Sequence, residues 1–267
     1  MFTINQLVQP ETIEEAAAIL AANKSSMILG GCAFMRLGAQ KIGTAIDLSK
    51  LGLDDIKELD DEIEIGAMAT FRAVETDPVL NEYFNGVLPK AVSHIMGVQF
   101  RNIATVGATV FSKYGFSDLI TPLLALDAEV ELFNGGRMPL TEFLDKPPAK
   151  DILTRVMIKK NQRQAGYQNL RKSTTDYPVL NVAVANLQNQ WRIVVGARPP
   201  RAKLAAQASA AMSKGNHSAE NIEQAAQLAA EELSFGTNMR GTADYRRAMC
   251  RVLVKRAVTG VLQCRSK

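Results

Sequence analysis

The chain has 267 residues, enough for about two domains at roughly 150 residues each. With 47% hydrophobic and 22% charged residues it has the make-up of an ordinary folded protein, which excludes fibrous and disordered classes. Lys and Arg total 31 against 27 Asp and Glu, and this spread-out excess of +4 is far from the dense basic footprint of a nucleic-acid binder.

In chain order, Thr12-Ile13-Glu14-Glu15 has capping-box spacing, and Ile13, Ala16, Ala17 and Leu20 share one face, which predicts a helix over about 13–22. Residues 26–29 read as a short buried strand running into Gly30-Gly31, followed by a brief helix at 32–37. Another short strand is expected at 45–48, and 56–59 with 63–66 alternate with period two, as in a hairpin. Helices are expected over 70–84 and 86–97. The segment 101–110 then loses helical period and mixes small, polar and β-branched residues, which suits backbone held close to a ligand or another strand. A helix at 118–126, a hairpin at 129–140 about Asn134-Gly135-Gly136, and a strand at 152–158 follow. Beyond a polar linker at 161–164 come strands at 166–171, 178–187 and 191–197. Helices follow at about 201–212, 219–232 and 242–262. On the last of these Arg247, Arg251 and Lys255 are four apart and share a face, either solvated or docked to a partner.

Cys32, Cys250 and Cys264 are the only cysteines, so the chain builds no disulfide framework, Cys-x-x-Cys pair or four-thiolate iron–sulfur site by itself. The start lacks signal-peptide character and no apolar run nears roughly 18 residues, so a cytoplasmic protein is expected. His94 and His217 sit in no metal-binding pattern, and no metal site is expected. Nucleophile-elbow, P-loop and Gly-x-Gly-x-x-Gly motifs are absent. What remains is two glycine-bearing turns, Gly30-Gly31 and Gly107, which are either plain tight turns or concavities of backbone N–H groups for a phosphate.

Four stretches, in order, resemble the FAD-binding subunits of molybdenum-containing hydroxylases, the xanthine dehydrogenase and carbon monoxide dehydrogenase flavoprotein type. Met27-Ile28-Leu29-Gly30-Gly31-Cys32-Ala33-Phe34 is similar to that family's first pyrophosphate loop, and Arg101-Asn102-Ile103-Ala104-Thr105-Val106-Gly107 to its second. Ser117-Asp118-Leu119 and the run to Ala128 resemble the continuation, and Arg240-Gly241-Thr242-Ala243-Asp244-Tyr245-Arg246-Arg247 the final helix.

The resemblance implies an α+β chain: a vanillyl-alcohol-oxidase (PCMH)-type FAD-binding domain at 1–160, of two α+β subdomains at about 1–52 and 53–160. A smaller α+β C-terminal domain, like that of carbon monoxide dehydrogenase flavoproteins, follows at 161–267. Carried over by position, FAD would meet Met27, Ile28, Leu29, Gly30, Gly31, Cys32, Ala33 and Phe34 in the first loop. In the second it would meet Arg101, Ala104, Thr105, Gly107, Ala108 and Thr109, with Asp118 alongside. Ile152 and Leu153 match a stretch that packs near the flavin ring. Lys172 and Tyr177 lie in a segment whose aromatic residue can approach the isoalloxazine, the alternative being a half-buried loop tyrosine. Cys32 is a small packed residue or a reactive thiol at a helix start. Gly30→Val or Gly107→Val is expected to abolish flavin retention by covering the pyrophosphate.

By the same resemblance the chain is an oxidoreductase component with no catalytic acid or base of its own. A large subunit carries the molybdenum cofactor, a small subunit with two [2Fe–2S] clusters relays electrons, and FAD passes them to an acceptor such as NAD. Where the family has Gly-Gly-Asn, this chain has Gly107-Ala108-Thr109, which feeds the rival reading of a non-catalytic assembly subunit with a decayed flavin site. A flavoenzyme acting alone is a third reading, opposed by the missing acid/base constellation.

Overall fold

The computed structural model describes residues 2–147, 149–198 and 200–264. The chain opens with a strand absent from the sequence reading, β1 (Thr3–Val8), whose Ile4 and Leu7 are exposed and so give no alternation toward a core. α1 (Ile13–Ala22) follows, capped by Thr12 Oγ1, which accepts the Glu15 amide at 3.2 Å. Next come β2 (Ser26–Leu29), a 3₁₀ turn at Met35–Leu37 in place of the expected brief helix, and β3 (Lys41–Asp47). The first hairpin is β4 (Ile56–Glu58) and β5 (Glu62–Gly66).

The two helices expected over 70–97 are in fact three: α2 (Phe71–Thr76), α3 (Pro78–Glu82) and α4 (Val87–Ser93). The first break is at Asp77-Pro78, where Asp77 Oδ1 caps the Leu80 amide at 2.9 Å and Pro78 opens the next helix. The second is at Phe84, Asn85 and Gly86, all with positive φ. The aperiodic segment begins at the last residue of α5 (Val98–Arg101) and runs into α6 (Val106–Phe111), two helices too short to show a period.

Then come α7 (Ile120–Ala125), the hairpin β6 (Glu129–Leu132) and β7 (Gly136–Pro139), and an unforeseen α8 (Leu140–Asp145). β8 (Leu153–Lys159) and β9 (Gln164–Leu170) come next, β9 taking in the end of the expected linker. β10 (Leu180–Leu187), β11 (Gln190–Gly196) and β12 (Lys203–Leu204) complete the strands, and α9 (Ala206–Lys214), α10 (Ala219–Glu232) and α11 (Ala243–Cys264) close the chain.

These elements form two compact units, neither continuous in sequence. The first comprises Met1–Val74, Gly97–Ser112 and Ala128–Lys159. It contains the parallel sheet β1-β3-β2 and the antiparallel sheet β4-β5-β8-β6-β7. One of its cores gathers Ala16, Leu20, Ile46, Leu48, Leu53 and Ile152. Each large aliphatic side chain so buried contributes ~1.5–3 kcal/mol.

The second unit comprises Glu75–Met96, Lys113–Asp127 and Lys160–Lys267. Its antiparallel sheet runs β12-β11-β10-β9. Leu180, Val182 and Val184 of β10 pack in one core with Ala225, Leu253 and Val254 of the closing helices. On the other face Asn181 meets Thr121 of α7, so β10 is buried on both sides and reads as a nearly continuous apolar run. Three basic residues of α11 form solvated ion pairs: Arg251 and Lys255 both reach Glu223 of α10, and Arg247 reaches Asp244. Among the described residues no helix is long and apolar enough to cross a membrane.

Candidate functional site

The first loop begins where β2 ends. Its cysteine takes a left-handed backbone, φ 56° at Cys32, and the thiol donates to the Gly30 carbonyl at 3.0 Å. The loop's carbonyls are used as well, Cys32 O accepting Arg36 N and Phe34 O accepting Leu37 N. Its amides are not. Among the described residues, the consecutive backbone N–H groups of Gly30, Gly31, Cys32 and Ala33 donate to no protein acceptor. All four residues are half-buried. A run of unpaired amides turning through a left-handed residue is a concavity suited to an anion.

The second loop is different, because its donors are spent inside the protein. Val106 N donates to Ala69 O at 2.9 Å and Gly107 N to Ala67 O at 2.7 Å. Ala108 N donates to the capping hydroxyl of Thr105 and Thr109 N to the Thr105 carbonyl. This loop supports the first from beneath. A Cβ on Gly31 would lie 1.3 Å from the Ile103 carbonyl oxygen, and one on Gly30 would lie 2.4 Å from Ala108 Cβ and 2.9 Å from Thr105 Oγ1. The Ala108 methyl that departs from Gly-Gly-Asn therefore fills the space under Gly30. Gly107 is needed for a different contact, since a Cβ there would meet Ala67 Cβ and O at 2.7 Å. The reason expected for Gly107→Val is thus corrected: the side chain would strike Ala67 first.

The other expected residues belong to several elements. Met27, Ile28 and Leu29 are the half-buried body of β2, and Phe34 meets Phe100 edge-on at 6.5 Å between ring centres. Arg101 and Ala104 are buried. Ile152 and Leu153 are interior side chains of the first unit, 0% and 4% exposed. Beside them Asp151 clamps the Asn134-Gly135 turn, its carboxylate accepting the amides of Asn134 at 3.0 Å and Gly135 at 2.9 Å.

Asp118, Lys172 and Tyr177 belong to the second unit. Asp118 is 5% exposed, and its Oδ1 accepts the Tyr167 hydroxyl and pairs with Arg171 Nη2 at 2.7 Å. Burial pushes its carboxyl up, against the pull of Arg171 and the hydrogen bonds from Tyr167 and Asn181. Burial and the adjacent Asp118 push the Tyr167 phenol well up, so Tyr167 stays a donor. This carboxylate is committed to an internal network. Lys172 is exposed, its Nζ donating to Met239 O at 3.3 Å.

Tyr177 is half-buried in an aromatic cluster. Its ring lies 4.7 Å from that of Phe116, which stacks on Tyr114 at 5.1 Å, and the Arg240 guanidinium sits 4.8 Å over the Tyr177 ring. Burial raises the Tyr177 phenol, Arg240 opposes this, and Asp176 and Tyr114 add to it.

Burial and the nearby Asp47 carboxylate push the Cys32 thiol up, which works against the reactive-thiol reading. Among the described residues no group of three His, Cys, Asp or Glu side chains is gathered as a metal site. Residues that escaped the sequence reading include Ala67 and Ala69, Tyr167 and Arg171, and Ile103, whose carbonyl seats the first loop; Leu37, Val98 and Ile103 leave apolar surface exposed at 81%, 43% and 40%. Ile103 stood inside a quoted motif but has no chemistry in its side chain, and backbone roles carry no residue signature.

Residues 2–160 match the family described as the FAD binding domain in molybdopterin dehydrogenase. The chain belongs to that family. Residues 165–261 match the C-terminal domain of carbon monoxide dehydrogenase flavoproteins, so this FAD-binding chain carries both parts of the flavoprotein type. Among relatives, it is 26% identical to the nicotine 6-hydroxylase medium subunit of Paenarthrobacter nicotinovorans, over 93% of this chain and 94% of that one. It is 31% identical to the nicotinate dehydrogenase FAD-subunit of Eubacterium barkeri over 56% of each. Its fold superposes on quinoline 2-oxidoreductase from Pseudomonas putida 86 with a TM-score of 0.88, at 20% identity, covering 98% of this chain and 97% of that one.

Proposed function

We propose that this chain is the electron-transfer medium subunit of a molybdenum hydroxylase complex. It would stand between the [2Fe–2S] clusters of a small subunit and an acceptor such as NAD, with substrate oxidation carried out on a molybdenum-bearing large subunit. The observation that carries the reading is the run of unpaired amides at 30–33 in a chain of this family. That run favours a working cofactor site over a decayed one, because a decayed loop has no need to keep four half-buried donors unsatisfied.

FAD, when bound, supplies the redox chemistry. The protein's part is to hold it. Gly30, Gly31, Cys32 and Ala33 would donate backbone N–H groups to the pyrophosphate, and their small side chains keep that backbone accessible. Thr105 and Ala108 would act indirectly, by fixing the height of Gly30, and Ile103 by fixing Gly31. Tyr177, with Arg240 over its ring, would offer an aromatic face to the isoalloxazine. Asp118 and Arg171 would brace the segments that lead to that face. We keep 1–160 as the FAD-binding domain and 161–267 as the C-terminal domain.

The test is the visible spectrum of the purified chain after incubation with FAD and desalting. Near one equivalent of retained flavin, lost in Gly31→Val, is the expected result. Equal retention in wild type and Gly31→Val would remove the first loop from the site.

A further inference from the structure

Arg246 has 0% exposure and stands on the buried stripe of α11, one turn before Cys250. Its guanidinium makes four hydrogen bonds. Nε donates to Val179 O at 2.9 Å, Nη1 to Gly236 O at 2.5 Å and Gly241 O at 2.6 Å, and Nη2 to Asn238 Oδ1 at 2.7 Å. None of these acceptors is a carboxylate. A buried cation without a counter-ion is costly, so its place must be secured by the neutral oxygens it gathers.

Three of those oxygens belong to one short segment, 236–241, which links α10 to α11. The segment turns through a reciprocal pair, Asn238 N to Gly241 O and Gly241 N to Asn238 O, both 3.1 Å. Asn238 Oδ1 accepts the Arg240 amide at 2.9 Å as well as Arg246 Nη2, so the buried fork and the Arg240 backbone share one atom. Beyond it, the Arg240 guanidinium lies over the Tyr177 ring and 3.3 Å from Asp176 Oδ1. Asp176 Oδ1 also accepts the Tyr177 amide at 2.8 Å. The chain of contacts from Arg246 to Tyr177 is unbroken.

We propose that Arg246 is a positioning residue for the Tyr177 face: it fixes the 236–241 turn, and the turn holds Arg240 against Tyr177. The role rests on the reading of Tyr177 as the aromatic residue facing the flavin. Lysine cannot serve, because an ammonium lacks the planar fork that spans four acceptors.

The test uses the full chain with ¹³Cζ-labelled tyrosine, Tyr177 being assigned from Tyr177→Phe, in wild type, Arg246→Lys, Asn238→Ala and Arg240→Gln. The charged groups facing the Tyr177 phenol are Arg240 and Asp176, with Tyr114 beside them. Releasing the Arg240 cation disfavours phenolate, so Tyr177 titrates at higher pH in all three variants. Trypsin cleavage after Arg240 rises about tenfold or more in Arg246→Lys, and less in Asn238→Ala, with cleavage elsewhere unchanged. Arg240→Gln moves the titration with α11 intact. If Arg246→Lys does not fold, Asn238→Ala decides alone. A wild-type Tyr177 titration in the folded variants overturns the proposal. A shifted titration with FAD retention and flavin potential unchanged leaves Arg246 in its role and removes Tyr177 from the flavin.

Discussion

The loop at 30–34 and the cluster around Asp118 are both expected cofactor contacts, yet they are built from opposite materials. The loop offers backbone. Its side chains are small, its amides are unpaired, and its shape is dictated by what a Cβ would strike in the second loop. The Asp118 cluster offers side chains, and nearly all are spent on one another: Tyr167 and Arg171 on the carboxylate, Asn181 on Ser117 O and Thr121. A region with a run of donors to spare suits a ligand, whereas one whose side chains are mostly paired with each other chiefly holds the protein. The difference predicts that changes in the first act on cofactor retention and changes in the second on stability.

The largest effect belongs to the saturated region. Asp118→Ala leaves Arg171 and the Tyr167 hydroxyl buried without their carboxylate, and should cost ~3–5 kcal/mol in urea unfolding. Flavin retention per folded molecule should change little. A variant of wild-type stability that had lost flavin would instead make Asp118 a cofactor contact.

Next comes Gly31→Ala. One methyl group 1.3 Å from the Ile103 carbonyl oxygen forces the loops apart, at ~1–3 kcal/mol. Retention of FAD after desalting should fall by more than about tenfold, a loss larger than the stability change alone would give. Cys32→Gly separates backbone from thiol. Glycine accepts a φ of 56° freely, relieving ~1–2 kcal/mol of left-handed strain, against ~0.5–1 kcal/mol of added chain entropy. Melting temperature should hold or rise slightly and flavin binding should persist, because the amides remain. Lost flavin in this variant would assign the Cys32 thiol a part in binding.

The same contrast explains what the sequence disclosed. Elements with a repeating pattern were legible: Ile13, Ala16 and Leu20 announced α1, and the alternation about 63–66 announced a hairpin. β1 was not, because Ile4 and Leu7 face solvent and an edge strand so exposed has no buried face to reveal it. α5 and α6 are shorter than the window in which a period can be seen. At the site, Gly30-Gly31 was visible as a glycine pair after a strand. That the second loop has its amides engaged by Ala67 and Ala69 could not be read, since those carbonyls lie about 40 positions earlier and any residue type supplies them. Arg246 did leave a trace, as a cation in register with Cys250, Leu253 and Ala257 on the buried stripe of a helix.

A final, smaller effect lies in the first unit, away from the loop, where side chains are paired but not saturated. Asp55 lies 2.7 Å from Lys57 Nζ and 2.9 Å from Arg155 Nη1, with about a third of its side chain exposed. Burial would raise its carboxyl, but the hydrogen bonds and charges of Lys57 and Arg155 outweigh it and hold the carboxyl below the ordinary range. A depressed folded pKa means stability that is present above the unfolded value near ~3.9 and lost as pH falls through the folded one. Asp55→Asn should therefore lower stability at pH 7 by ~0.5 kcal/mol or less, as screened pairs do, and the gap from wild type should close between about pH 4 and pH 2. Flavin retention should not move, because nothing in this pair reaches the amides at 30–33. A gap that persisted at pH 2 would show that Asp55 acts through packing and not through its charge.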